Sequence, residues 1–307
     1  MISSFFSKSK PIHFVVVSIM LLLVFVSTKY YSINESLNLM IILKQIGLFL
    51  VCLMSVFMLD FLVSRNNLTK KNSYKLLMFV SFFALFPETI LNSKILVSNL
   101  FVLLALRRII SLRSNKELKK KLFDAAFWIG IATLFYFWAS LFYILIFAAL
   151  FLYSVTDIKN WIIPIVAIIT VAIISASYMI MMDIDVVNYF SGLISFSFDF
   201  TQLNSKNLIV SATLLLSYGL WALLYFIRHI KSKSKSYRSS FVLVILTALI
   251  ALVIIVVSPL KNGSEFVFLF APLAIIMTNY LEIISEKWFR EALIIVLIVT
   301  PIMTLLL

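Results

Sequence analysis

The chain has one cysteine, two histidines and five glycines in 307 residues, and charged residues make up only 13% of it. Each shortage excludes something. Cys52 stands alone in an apolar run, which rules out a disulfide framework or a thiol pair for redox work and leaves a core filler. Two histidines cannot build a four-His iron site, and a His-ligated haem pair or di-iron oxygenase is disfavoured as well. His13 and His229 both lie beside basic residues, where solvent or lipid head groups are the expected surroundings. The chain contains no nucleophile triad, phosphate-binding loop, metal-ligand cluster or redox motif. So few charges cannot cover a water-soluble globule of this length.

What abounds is apolar. Hydrophobic residues make up 63% of the chain and 29 residues are Phe. A bilayer core of about 30 Å takes roughly 20 apolar residues per helix. Apolar runs occur near 14–31, 38–63, 76–87, 95–106, 122–137, 138–153, 161–181, 208–227, 241–257, 266–280 and 292–307. They predict an all-α, polytopic membrane protein of about 11 transmembrane helices, a single membrane-embedded domain over 1–307 without a separate soluble part. MISSFFSKSKPIHF followed by an apolar stretch has the order of a signal peptide, but no small-residue cleavage site precedes Lys29, so it reads as an uncleaved first span.

The net charge of +13 is distributed unevenly. Threaded alternately through a membrane, the runs leave all but five of the 26 Lys and Arg residues on one side, the exceptions being Lys29, Lys44, Lys94, Lys206 and Lys261. That is the positive-inside bias of a polytopic membrane protein, and it accounts for the basic charge without nucleic acid. It places the N-terminus, 64–75, 107–121, 154–160, 228–240 and 281–291 in the cytoplasm, with 28–37, 87–94, 182–207, 258–265 and the C-terminus outside. The same parity makes 76–106 and 122–153 hairpins that return to the side they left, whether as full crossings or as re-entrant loops. Pro87-Glu88 and Asn92-Ser93-Lys94 mark the first turn, while the second has only the aromatic cluster Tyr136, Trp138 and Tyr143.

Several residues are candidates for chemistry. In the outer loop 182–207, Ile184, Val187, Phe190 and Ile194 predict a short interfacial helix, and the alternation through Phe196, Phe198 and Phe200 predicts an extended aromatic strip. Lys44 is a basic residue inside an apolar span, able to snorkel outward or to meet a lipid pyrophosphate. Glu35, Glu88, Asp183 and Asp185 sit at outer ends of spans, where converging carboxylates suit a general base or ligation of Mg²⁺ or Mn²⁺. The exclusion of Lys and Arg from outer loops concentrates acids there passively, so the cluster has a bland origin too. Lys261 and Glu265 flank a Gly-containing turn before a span expected to break at Pro272, placing them at a gate or substrate cavity. Asp60 and Asp124 read as ion partners at the cytoplasmic end.

At FFALFPETILNSKILVSNLFVLLALRRIISLRS (82–114) and KELKKKLFDAAFWIGIATLFYFWASLFYIL (116–145) the chain resembles a family of uncharacterised inner-membrane proteins of Bacteroidota. Its order of elements is also similar to the membrane glycosyltransferases of the GT-C fold. That resemblance implies a catalytic acid in the first outer loop, which here offers Glu35, with Asp183 as the second candidate. It implies a polyprenyl-phosphate-linked sugar as substrate, with Lys44, Glu88, Lys261 and Glu265 as binding residues. The paired acidic motif and large periplasmic domain often found there are absent. Three readings therefore stand: such a transferase, a transporter or flippase for a lipid-linked substrate, and a non-catalytic subunit that assembles partners through its basic face.

Overall fold

A computed structural model describes residues 2–30, 38–185, 195–259 and 261–304, and the backbone alone at 235 and 236. Among these residues the protein is all-helical, without strands. In chain order the helices are α1 (Ile2–Phe6), α2 (Pro11–Tyr30), α3 (Leu39–Asn66), α4 (Tyr74–Leu85), α5 (Glu88–Leu91), α6 (Ser93–Ser111), α7 (Leu118–Phe135) and α8 (Tyr143–Leu152). They continue as α9 (Ile158–Met181), α10 (Lys206–Ile230), α11 (Lys235–Val257), α12 (Val267–Ile283) and α13 (Lys287–Thr304).

Two helices are apolar all round and form the centre. Eleven of the twelve residues of α4 and fifteen of the seventeen of α12 are buried, as a helix without a polar face requires. Phenylalanines lock them together. Phe270 of α12 meets Phe83 at 5.4 Å and Phe82 at 5.6 Å, while Phe86 stacks on Phe266 at 4.4 Å. Edge-to-face and offset rings of this kind add to the area they bury. Pro272 does not break its helix as expected: α12 runs unbroken from Val267 to Ile283. The residue lies in the second turn, where its missing N–H costs one ladder bond to Phe268.

The surrounding helices are inside out by the standard of a soluble protein. Leu43, Ile46, Leu50 and Met54 on α3, and Ile165, Ile169 and Ile173 on α9, are exposed at 49% or more of their surface. Hydrocarbon is the solvent that makes such faces favourable. Seven helical segments are long and apolar enough to cross a membrane: Pro11–Tyr30, Leu39–Asn66, Ser93–Ser114, Ile158–Met181, Lys206–Ile230, Tyr237–Val257 and Ser264–Ile283. The chain is a multi-pass membrane protein. The four remaining apolar runs are helical but differ in kind: α4 spans only about 18 Å, 137–152 is a short 3-10 turn plus α8, and α7 and α13 carry charges in their first turns.

Both expected hairpins return to the end they leave. Lys75, at the start of 74–111, pairs with Asp60 of α3 at 3.0 Å, and Arg113, just after it, donates to the Asn66 carbonyl at 3.4 Å. Lys121 donates to the Ser111 carbonyl at 2.8 Å and Tyr153 to the Ile110 carbonyl at 3.3 Å, which brackets 122–153 in the same way. The first hairpin turns at Phe86 and Pro87, with Asn92 capping α6 through the Ile95 amide. The second turns at Tyr136, an extended residue with φ −149°.

The predicted ion partners are in place, with Arg108 and Asp124 at 2.7 Å. His13 departs from expectation. It is fully buried, its Nδ1 2.9 Å from the Ser73 hydroxyl and its ring against Phe5 and Phe6. The fold brings α1 and the 66–73 connection over it, a long-range closure that its basic neighbours in sequence do not reveal. The Tyr74 hydroxyl and the Ser3 carbonyl, 2.6 Å apart, seal that closure.

Candidate functional site

Opposite the basic end, the turns at 86–92, 136–139 and 258–266 meet under the segment 195–203. Asn92 donates to the Ser264 hydroxyl at 3.3 Å, tying the first hairpin to the turn before α12. That turn is internally built: Asn262 Oδ1 accepts from the Ser264 amide at 3.1 Å and from its hydroxyl at 2.6 Å. Gly263 has φ 91°, and a Cβ there would come within 2.7 Å of Leu208 in α10, so glycine answers both backbone and packing. Ser258 donates to Glu265 Oε1 at 2.6 Å, and both residues are essentially inaccessible. The Tyr136 hydroxyl is buried without a hydrogen-bond partner among the described residues.

Lys261 lies beside them and is 1% exposed. Its ammonium donates to the Ser197 carbonyl and sits 4.5 Å from the ring of Phe200 and 5.8 Å from that of Phe198. The overlying segment is pinned at two more points, the Ser197 amide donating to the Val257 carbonyl at 3.4 Å and Trp138 Nε1 to the Ser195 carbonyl at 3.0 Å. Phe196, Phe198 and Phe200 remain exposed. The interfacial helix expected just before them lies outside the described residues beyond Asp185.

Against this centre lies a cavity of about 570 Å³, formed where α2, α4, α5, α10 and α13 diverge. Val24, Ala84, Leu91, Leu208 and Leu297 line it, with one acid, Glu88. Ser27 and Thr28 also reach the wall, but both hydroxyls donate to the Val24 carbonyl of their own helix. Leu23 and Ile302, also on the wall, are more than half exposed, so the mouth opens on the lipid-facing side. Glu88 Oε2 is buried without a hydrogen-bond partner among the described residues. Burial raises its pKa, since a carboxylate in apolar surroundings loses hydration that nothing replaces.

The sequence candidates fall unevenly around this place. The α5 turn carrying Glu88 packs on the 264–266 turn that holds Glu265, and Lys261 lies three residues before that turn. Asp183 and Asp185 are exposed at the end of α9, which packs chiefly on α7. Lys44 is exposed on the outer surface of α3. Glu35 lies outside the described residues. Among the described residues no three His, Cys, Asp or Glu side chains come close enough to hold a metal ion. Sequence reasoning missed Ser258, Asn262 and Ser264 as parts of the centre. Their one signal was the turn chemistry of Pro259, Asn262 and Gly263.

No curated protein and no solved structure matches this chain. Residues 2–306 match the model of a family of unknown function, DUF6427, and the chain belongs to that family.

Proposed function

We propose that the protein is a single membrane-embedded domain of the bacterial inner membrane that takes up the hydrocarbon chain of a lipid-linked substrate, as a transporter or flippase does. Its basic end faces the cytoplasm, and all eleven apolar runs pass between the two faces. The carrying observation is the lipid-side cavity of about 570 Å³ with one buried, unpartnered carboxyl oxygen at Glu88. Ligand pockets of this size are ordinarily apolar with a few placed polar groups. A protonated Glu88 offers a hydrogen-bond donor to the polar neck of a lipid whose chain fills the cavity.

The transferase reading drew on Glu35, Asp183, Lys44, Glu88, Lys261 and Glu265. Among those that are described, Glu88 alone lines this cavity, and catalysis draws no support from the arrangement. The test uses the full chain reconstituted in vesicles with a fluorescent lipid. Ala84→Phe, which fills the cavity, should lower lipid uptake about tenfold, an effect of roughly 1.4 kcal/mol. Unchanged uptake by a folded Ala84→Phe protein would sink the assignment.

A further inference from the structure

We infer that Lys261 is the docking group for the phosphate of a lipid whose chain occupies the neighbouring cavity, with the segment 195–203 as the cover that the phosphate displaces. This rests on the proposed lipid-binding reading and names the headgroup.

An ammonium taken out of water needs an anion or several acceptors. The other buried lysines have them. Lys75 pairs with Asp60 at 3.0 Å and also donates to the Asn72 carbonyl at 3.0 Å, and Lys121 bonds the Ser111 carbonyl and the Ser114 hydroxyl. Lys261 forms no ion pair among the described residues. Its described acceptor is one backbone carbonyl, supplemented by two ring faces. Asp199 is near enough to feel the ammonium, but it is exposed and its Oδ1 accepts the Thr201 amide at 3.0 Å. Glu265 accepts from Ser258 instead.

The carbonyl of Ser197 therefore holds the place an anionic oxygen would fill more strongly, because charge-assisted bonds exceed those to neutral acceptors. The backbone here is held against preference as well, with Lys261 at φ 42°. Lys261 and the cavity are joined by short links: Leu208 lines the cavity and abuts Gly263, and the α5 turn carrying Glu88 packs on 264–266. A phosphate at Lys261 thus sits behind the cavity wall that Leu208 and the α5 turn form, within reach of a chain lodged there.

The experiment measures binding to the purified full chain in detergent, by native mass spectrometry and thermal shift, of phosphatidic acid, of diacylglycerol with the same chains, and of inorganic phosphate. Wild type should bind phosphatidic acid about tenfold more tightly than diacylglycerol. Lys261→Gln should lose that preference while keeping its diacylglycerol affinity, and Lys261→Arg should retain it. Equal affinity of wild type for the two lipids overturns the inference, and that comparison needs no variant should Lys261→Gln fail to fold. Inorganic phosphate binding as tightly as phosphatidic acid overturns the lipid source. Loss of diacylglycerol binding in wild type instead strikes the cavity reading on which the inference rests.

Discussion

The two ends of the bundle treat their charged groups in opposite ways. At the basic end Asp60 meets Lys75, Asp124 meets Arg108, and Glu282 accepts from the Lys70 amide and Asn72. Glu291 accepts from the Ser3 amide at 2.9 Å, tying α13 to the N-terminus. Arg113 lies 3.8 Å over the ring of Tyr237, drawing α11 into the same network. At the far end Glu88, Lys261 and Glu265 are sequestered without an ion pair among the described residues. Paired charges staple connections together. Unpaired ones cost stability.

That contrast is broken most severely at Asp60. Asp60→Ala strands the ammonium of Lys75, which is 2% exposed, and should cost about 3 kcal/mol, measured as a lowered melting temperature in detergent. The double variant Asp60→Leu with Lys75→Met should recover most of the loss, because well-packed apolar residues replace a buried pair at little cost. If the single variant melts like wild type, the basic end is not stapled by this pair.

At the far end Gly263→Ala should cost about 2 kcal/mol, from the positive φ and the contact with Leu208 together. It should also weaken lipid binding, which a purely structural turn would not require.

Glu88→Gln works in the opposite direction. Burial favours the protonated acid, so wild-type stability is fullest below the ordinary carboxylate pKa and falls as pH rises through the raised value. The variant carries no titrating group. It should therefore be more stable than wild type by about 1 kcal/mol at neutral pH, a gain that vanishes in acid. Parallel melting curves at both pH values would show that Glu88 is solvated after all.

The smallest effect belongs to Asp124→Asn. Its pair with Arg108 is 24% to 28% exposed, and the loss should stay below about 1 kcal/mol and shrink with salt. A larger loss would mean that the basic end depends on its surface pairs as much as on Lys75.

Much of the architecture was legible in the chain. Runs of basic residues between apolar segments located the connections, and parity alone turned 76–106 and 122–153 into hairpins whose ends the side chains of Lys75, Arg113, Lys121 and Tyr153 now bracket. Lys261 and Glu265 were singled out by their turn. The break at Tyr136 was weakly marked because neither Pro nor Gly makes it, only the change to an extended residue. His13 was misplaced because Ser73, which its ring nitrogen meets, is 60 residues away. The cavity left no local mark, being assembled from five helices spread over nearly the whole chain.

Hydropathy and charge are properties of each segment, set by transfer between water and lipid, so the sequence by itself determined that this is a multi-pass helical membrane protein with a basic end. Which apolar helices lie at the centre, which acids find a cation, and which charges stay alone depend on shape and on contacts between distant residues. Those were decided by tertiary packing: Phe270 against Phe82 and Phe83 centred α12 on α4. The folding of 195–203 over Lys261 turned an ordinary loop lysine into a buried cation.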